Sequence, residues 1–275
     1  MEPIKQSLPQ IARSFIEKQG SSERICPYCG RLITPIELDS EVLGTFRVTP
    51  ACKCEAEKAV ADIKRFERAK RNGEIHEYSD DDQMIRHATL AGYQPEAGTQ
   101  RGQQVVQSFV NQFEQWGAKG IYLFGENGLG KSHLLSAATK ELRGQGVSVI
   151  YTTAKLLVAH TRKPNSKWDY LNAYKAADVL VIDEMGAEIP ADWEMGELFT
   201  VLNSRQNRKP TLYGSNFTVK QLEARFEERQ KGWGKRLMER IIESSVLEEL
   251  IGNSRRFDLH IRNTEQLNRR LRGHD

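Results

Sequence analysis

From about residue 100 onward, short apolar runs alternate with stretches whose apolar positions recur at helical spacing. Ile121-Tyr122-Leu123-Phe124 reads as a strand, and Ser132 to Leu142 as a helix that stops at Gly144. Val147 to Tyr151 reads as a second strand, Ala154 to His160 as part of a helix, and Val179 to Asp183 as a strand of buried character. Met195 to Asn207 and Val219 to Phe226 have helical spacing, with the strand Thr211 to Gly214 between them. Short apolar strands separated by helices predict an α/β fold, a parallel sheet with helices on both faces.

Upstream the pattern changes. Ala59, Ile63, Phe66 and Lys70 recur at helical spacing, Asn72-Gly73 marks the predicted end of that helix, and an acidic linker follows at Ser79 to Asp82. The first 57 residues hold turn signals at Pro27, Gly30, Pro35 and Pro50, with alternating stretches (LITPIEL, TFRVT) that suit a small ribbon. The expected organisation is a module at 1–57, a helix and linker at 58–99, and an α/β domain at 100–275. There is no internal repeat and no low-complexity tract.

Composition narrows the function class. The chain has 275 residues, 39% hydrophobic and 28% charged, as in an ordinary globular protein. No run approaches the ~18 apolar residues of a membrane span, and no charged-then-apolar leader opens the chain, so a cytoplasmic location without membrane contact is expected. A net charge of +3 leaves nucleic-acid binding to local patches. The four cysteines, Cys26, Cys29, Cys52 and Cys54, all fall in the first fifth of the chain. In a reducing compartment their C-x₂-C and C-x-C pairs predict a closed tetrahedral Zn²⁺ site, with iron–sulfur ligation or metal-free thiols as alternatives. Zinc would supply about 10–16 kcal/mol of folding energy to a module too small for a core of its own. Arg24, Arg31, Arg47 and Lys53 are offset by Glu23, Glu37, Asp39 and Glu41, which favours a protein partner over DNA for this module. The basic run Lys64, Arg65, Arg68, Lys70 and Arg71 is either a solvated helix face or a DNA-facing one.

The sharpest chemistry is Gly125-Glu126-Asn127-Gly128-Leu129-Gly130-Lys131-Ser132, followed by His133, between a strand and a helix. This is G-x-x-x-x-G-K-[ST] in the context that the motif requires. Glycines let the backbone approach phosphates, and the N–H groups and the helix N-terminus point at the anion. Lys131 would reach the β- and γ-phosphates and Ser132 would bind Mg²⁺. At the end of a buried strand, Asp183 suits a Mg²⁺ contact and Glu184 suits activation of a water, unless the pair is only a solvated acidic turn. Asn216, after a further strand, can orient the same water or simply form a turn. Arg236 and Arg240 lie at i and i+4 on one predicted helix face, either as solvated charge or as a group that reaches a neighbouring subunit's γ-phosphate.

Taken together, IYLFGENGLGKSHLL, ADVLVIDEMG, GSN, GKRLMERI and the run Ile251 to Arg256 resemble AAA+ ATPases and, in detail, helicase loaders of the DnaC/DnaI type, over about residues 100–260. The resemblance implies a P-loop AAA+ core with ATP and Mg²⁺ as cofactors, Lys131, Glu184 and Asn216 in hydrolysis, Arg240 as a finger across a subunit interface, and Arg256 as a second sensor. It implies a DnaB-type replicative helicase, single-stranded DNA and self-association through the ATP site as the partnerships. Hydrolysis would release the loader once helicase is seated during DNA replication. Bases could stack on Trp168, Tyr170 or Tyr174 if these are not core residues. IstB-type transposition helpers share the core and are the alternative, and a non-hydrolysing, metal-organised adaptor is a third reading.

Overall fold

The structure, a computed structural model, describes residues 22–41, 44–80, 86–161, 167–187, 192–254 and 264, without the side chains of 167, 168 and 192–194. The chain divides into two compact units, Met1–Arg68 and Ala69–Asp275.

In the smaller unit, β1 (Arg24–Ile25) and β2 (Leu32–Ile33) pair antiparallel around a turn closed by Cys26 N–H to Arg31 O at 2.9 Å. Next come β3 (Ile36–Ser40) and β4 (Gly44–Val48), an in-register hairpin that runs from Ile36 opposite Val48 to Ser40 opposite Gly44. The helix α1 (Lys53–His76) follows. Its start is fixed by Glu55, whose Oε2 accepts from the Cys52 N–H at 2.8 Å while both carboxylate oxygens take the Arg24 guanidinium at 2.6 Å. That is half a capping box, completed by a cation in place of a second cap. The Arg24 hydrogen bonds hold the Glu55 carboxyl down at about 2. The buried cluster of this unit consists of Cys26, Ile33 and Cys52, with Cys54 against it.

Asn72-Gly73 does not end α1. Asn72 is buried and donates its amide to Gly146 O at 2.7 Å, and Ile75 is buried one turn further on, so contacts with the core carry the helix through a sequence that favours a stop. The predicted linker is likewise engaged over its described part: the Asp80 N–H donates to Tyr151 O at 2.7 Å. Asp81 and Asp82 lie outside the described residues.

The larger unit runs α2 (Gln100–Asn111), α3 (Phe113–Trp116), β5 (Gly120–Gly125), α4 (Lys131–Gly144), β6 (Val149–Thr153), α5 (Ala154–Thr161), α6 (Lys167–Ala176), β7 (Val179–Met185), α7 (Asp192–Arg205), β8 (Thr211–Ser215), α8 (Val219–Arg229), α9 (Trp233–Ser244) and β9 (Ser245–Leu250). The five strands form one parallel sheet in the order β6-β7-β8-β5-β9. The sheet and its covering helices match the predicted α/β architecture. Side chains alternate between two cores: Ile121, Leu123, Val149, Tyr151 and Val181 face α2 and α4, while Tyr122, Ile150, Leu180, Ile182 and Tyr213 face α5 to α9. The chain leaves β5 for the far strand β6 and later returns past β5 to β9, so the crevice of an open α/β sheet falls at the tip of β5. α2, α3, α6 and β9 were not read from the sequence. The strand β9 (SVLEEL) carries acidic residues where alternation is sought, and α2 has a weakly apolar, glutamine-rich face.

Arg205, only 1% exposed, fastens the other end of the sheet. Its guanidinium donates to the carbonyls of Tyr174 (2.6 Å), Ala177 (2.9 Å) and Pro210 (2.7 Å) and to Thr211 Oγ1 (3.0 Å). Burial draws its pKa down to about 10. Arg205→Met leaves those acceptors without a donor, and we expect a loss of about 3 kcal/mol in urea unfolding. Arg205→Lys, with three donors and no planar fork, should recover only part of it.

Candidate nucleotide site

The tip of β5 turns into the loop 125–130 with Gly125, Gly128 and Gly130 all at positive φ. At Gly130 (φ +88°) the requirement is double: the backbone is left-handed, and a Cβ would lie 2.6 Å from the Tyr93 ring. Tyr93 is 3% exposed and donates its hydroxyl to Leu129 O at 2.8 Å, so the segment ahead of α2 props the loop from outside. Its ring lies 5.8 Å from that of His133, whose Nε2 is 3.0 Å from Thr89 O. His133 is therefore engaged with the propping segment. Lys131 is buried and its Nζ donates to Gly125 O (2.8 Å) and Glu126 O (2.7 Å), closing the loop on itself. Glu126 and Asn127 are exposed, while Leu129 is buried. Ser132 is the second residue of α4, and Ser254 passes close enough that a Cβ on Gly128 would lie 2.2 Å from its Oγ.

Two strands away, β7 delivers the acidic pair. Its pairing with β8 runs in register to Ile182 opposite Tyr213 and resumes at Met185 opposite Ser215, so Asp183 and Glu184 form an irregularity at the strand end. Glu184 is exposed at φ +55°, a left-handed conformation that costs a residue with a Cβ about 1 kcal/mol or more. Asp183 is 3% exposed. Its Oδ2 accepts from the Tyr151 hydroxyl at 2.7 Å and its Oδ1 from the Glu184 N–H at 2.8 Å. Ser215 Oγ donates to Met185 O at 2.7 Å and accepts from the Phe217 N–H at 3.1 Å, tying the tips of β7 and β8 and leaving Asn216 exposed between them. Since Ser215 is opposite both Phe124 and Met185, the loop, the acidic pair and Asn216 share one end of the sheet. Asp183 and Ser132 offer hard oxygen donors, the type Mg²⁺ takes.

Arg240 stands apart. It lies one turn before the end of α9, and the next element begins with Ser245 opposite Gly120, at the end of β5 away from the loop. Its guanidinium is half-buried, 5.9 Å from the Phe199 ring and 3.5 Å from Glu243 Oε2. Arg236 is exposed beside Trp233. Arg256 lies outside the described residues, as does the Trp168 side chain. Tyr174 is fully buried and Tyr170 is stacked on His160 at 4.0 Å, so both are occupied in the core.

In the smaller unit the four Sγ atoms lie within 4.8 Å of one another, with Cys26–Cys54 at 3.3 Å, Cys52–Cys54 at 3.5 Å and Cys29–Cys52 at 3.6 Å. Four thiolates about 2.3 Å from one ion would stand roughly 3.8 Å apart, so the set suits a single tetrahedral ion. Although burial works against it, the N–H groups of Tyr28 and Cys29 draw the Cys26 thiol down to about 7. Contacts with the Cys26 and Cys52 sulfurs push Cys54 up to about 12. A cation between them would reverse that crowding.

Tyr93, Tyr151 and Gly214 were not singled out from the sequence. A Cβ on Gly214 would lie 2.1 Å from Asp183 Oδ1 and 2.8 Å from Leu135 Cδ1, which makes this glycine the wall behind the carboxylate. Only the strand order reveals that role. Gly214→Ala is expected to cost about 1–3 kcal/mol in thermal unfolding. In an Asp183→Ala background the cost should shrink markedly, and a double-mutant cycle reads that coupling.

Among known proteins, the replicative helicase loader DnaI of Bacillus subtilis (strain 168) is 33% identical over 166 residues, 56% of this chain and 53% of DnaI. The replicative helicase loader DnaC of Escherichia coli (strain K12) is 30% identical over 143 residues, 50% of this chain and 55% of DnaC. The chain thus spans about half the length of these relatives. A crystal structure of DnaI shares the fold with a TM-score of 0.56 at 28% identity, covering 63% of this chain and 96% of that one. Residues 54–262 match the family described as IstB-like ATP binding protein, and the chain belongs to that family.

Proposed function

We propose that this protein is an ATP-hydrolysing loader of a DnaB-type replicative helicase. One observation carries the reading: the phosphate loop, Asp183–Glu184 and Asn216 stand together at the strand tips of a chain 33% identical to a helicase loader. The family name also covers the transposition helpers, but the relatives reported above are loaders, which favours loading. The setting is the cytoplasm; among the described residues no helix is long and apolar enough to cross a membrane.

The residues divide the work as follows. Backbone N–H groups of 125–132 and the α4 N-terminus receive the phosphates of ATP. Lys131 exchanges its two loop carbonyls for β- and γ-phosphate oxygens, so binding replaces an internal contact with a charge-assisted one. Mg²⁺, held by Ser132 and Asp183, supplies neutralisation of the charge on the phosphates. Glu184, exposed on its irregular turn, orients a water and accepts its proton, with Asn216 as the second contact to that water. Arg240 cannot serve its own loop from the opposite end of β5, and that geometry supports a role at a neighbouring copy's γ-phosphate. The nucleotide then lies between subunits, and hydrolysis loosens the assembly. Lys64, Arg65 and Arg68, exposed on α1, are candidates for backbone contacts with single-stranded DNA. Arg256 retains the sensor role implied by its motif.

The cysteine cluster, by its spacing, suits Zn²⁺ as the organiser of the smaller unit, and its near-neutral charge favours a protein partner, here the helicase. The domain limits proposed are 1–57 for the zinc module, 58–99 for helix and linker and 100–275 for the ATPase.

Lys131→Ala should abolish nucleotide uptake, whereas Glu184→Gln should retain uptake and lose roughly 10²–10⁴-fold in phosphate release. Arg240→Ala and Lys131→Ala chains, each inactive, should regain partial turnover when mixed with helicase and single-stranded DNA; a mixture as inactive as its parts rules out a shared site. Elemental analysis should find roughly one zinc per chain. Cys29→Ser should lose the metal and helicase capture while nucleotide binding by the larger unit persists.

A further inference from the structure

The Tyr151 hydroxyl has no part in the chemistry above, yet it meets the most buried carboxylate of the site. Tyr151 is 5% exposed on β6, and its phenol crosses to Asp183 Oδ2 at 2.7 Å. The other oxygen of Asp183 takes the Glu184 N–H, and Gly214 closes the space behind it. A carboxylate pivots about its last two bonds unless both oxygens are held. Here one anchor is the backbone of Glu184 and the other is a phenol on a neighbouring strand.

The position of that phenol is itself held from outside the sheet. β6 is an edge strand, and residues 76–80 lie along its open side. The Tyr151 N–H donates to Ser79 Oγ at 2.8 Å, and Tyr151 O accepts from the Asp80 N–H at 2.7 Å. Arg143 donates to Ser79 Oγ (2.7 Å) and to Val149 O (2.9 Å), and the Val149 N–H meets His76 Nε2 at 3.3 Å. Thr152 Oγ1 donates to Asp80 Oδ2, and Asp80 Oδ1 lies 3.5 Å from His160 Nε2. The strap that follows α1 is thereby locked to β6 at Val149, Tyr151 and Thr152, one residue short of Thr153, which pairs with Asp183.

We propose that Tyr151 is a positioning residue of the nucleotide site, which fixes Asp183 for its Mg²⁺ contact, and that the strap 76–80 sets where Tyr151 stands. This rests on the nucleotide-site reading above. The phenol donates to the anion and takes no part in bond breaking. Its removal acts on metal recruitment and leaves nucleotide contacts with the loop intact. The strap makes that recruitment sensitive to the segment that follows α1 within the larger unit.

The test uses full-length Tyr151→Phe, which keeps the ring and removes one oxygen. A fluorescent ATP analogue is titrated at a series of Mg²⁺ concentrations and in EDTA, with phosphate release measured alongside. The Mg²⁺ midpoint for tight analogue binding should rise about tenfold, with affinity in EDTA unchanged and turnover at saturating Mg²⁺ within about twofold of wild type, while the buried Asp183 oxygen left without its donor lowers the unfolding midpoint. Ser79→Ala, which retains the phenol, should raise the Mg²⁺ midpoint about two- to threefold. An unchanged midpoint in Tyr151→Phe overturns the positioning role, and an unchanged midpoint in Ser79→Ala overturns the part of the strap. If wild type takes up no nucleotide with or without Mg²⁺, the nucleotide-site reading falls and this inference with it. Mg²⁺-dependent uptake by wild type alongside an unshifted Tyr151→Phe removes the inference alone.

Discussion

A carboxylate kept almost wholly from water at the end of a strand is costly unless each oxygen has a partner, and Asp183 meets that constraint with donors from two strands and a glycine wall from a third. The arrangement requires β6, β7 and β8 to be adjacent and parallel, with their tips level. It also requires the irregularity after Ile182, because a regular ladder would place Glu184 on the strand with its N–H committed to β8. The strand order that satisfies Asp183 is the same one that sets β5, and with it the glycine loop, at the crevice of the sheet. Fold and site are in this sense one requirement. The covering helices supply the apolar burial, and Arg205 at the far end closes the carbonyls that the strand starts leave open.

The smaller unit is built on a different principle. Among its described residues the buried apolar set of Cys26, Ile33 and Cys52 removes too little apolar surface to offset the ordering of some forty residues. Two short antiparallel pairs and the Arg24–Glu55 contact define its shape, but the sulfurs are its centre. Among its described residues, Ile25, Tyr28 and Leu32 are exposed apolar side chains.

Much of this was legible in the sequence where spacing is dictated by chemistry. The glycine loop needs its glycines at fixed intervals, the buried strand Val179–Asp183 needs an uninterrupted apolar run, and the thiols must come in close pairs; each was found by that need. Apart from α6, which was not read, the strands and helices from 120 to 229 followed from period alone. What escaped notice depends on contacts between segments distant in sequence. Asn72 ends helices in most settings, and here its amide is committed to Gly146. Tyr151 reads as one more core aromatic until the register of β6 against β7 aligns Thr153 with Asp183. Tyr93 lies in a stretch without periodicity, and only the left-handed turn at Gly130 gives its ring somewhere to rest. Strand β9 hides because Glu248 is buried beside Arg101, which breaks the apolar alternation.

The backbone of Glu184 carries a consequence of its own. Glycine or asparagine sits comfortably at φ +55°, and glutamate does not. A lineage that kept the nucleotide as a mere structural plug would gain backbone stability by letting this residue go to glycine. The residue thus serves as a tell-tale. If Glu184 is the proposed water-activating group, a descendant with glycine at 184 gains backbone ease and gives up turnover.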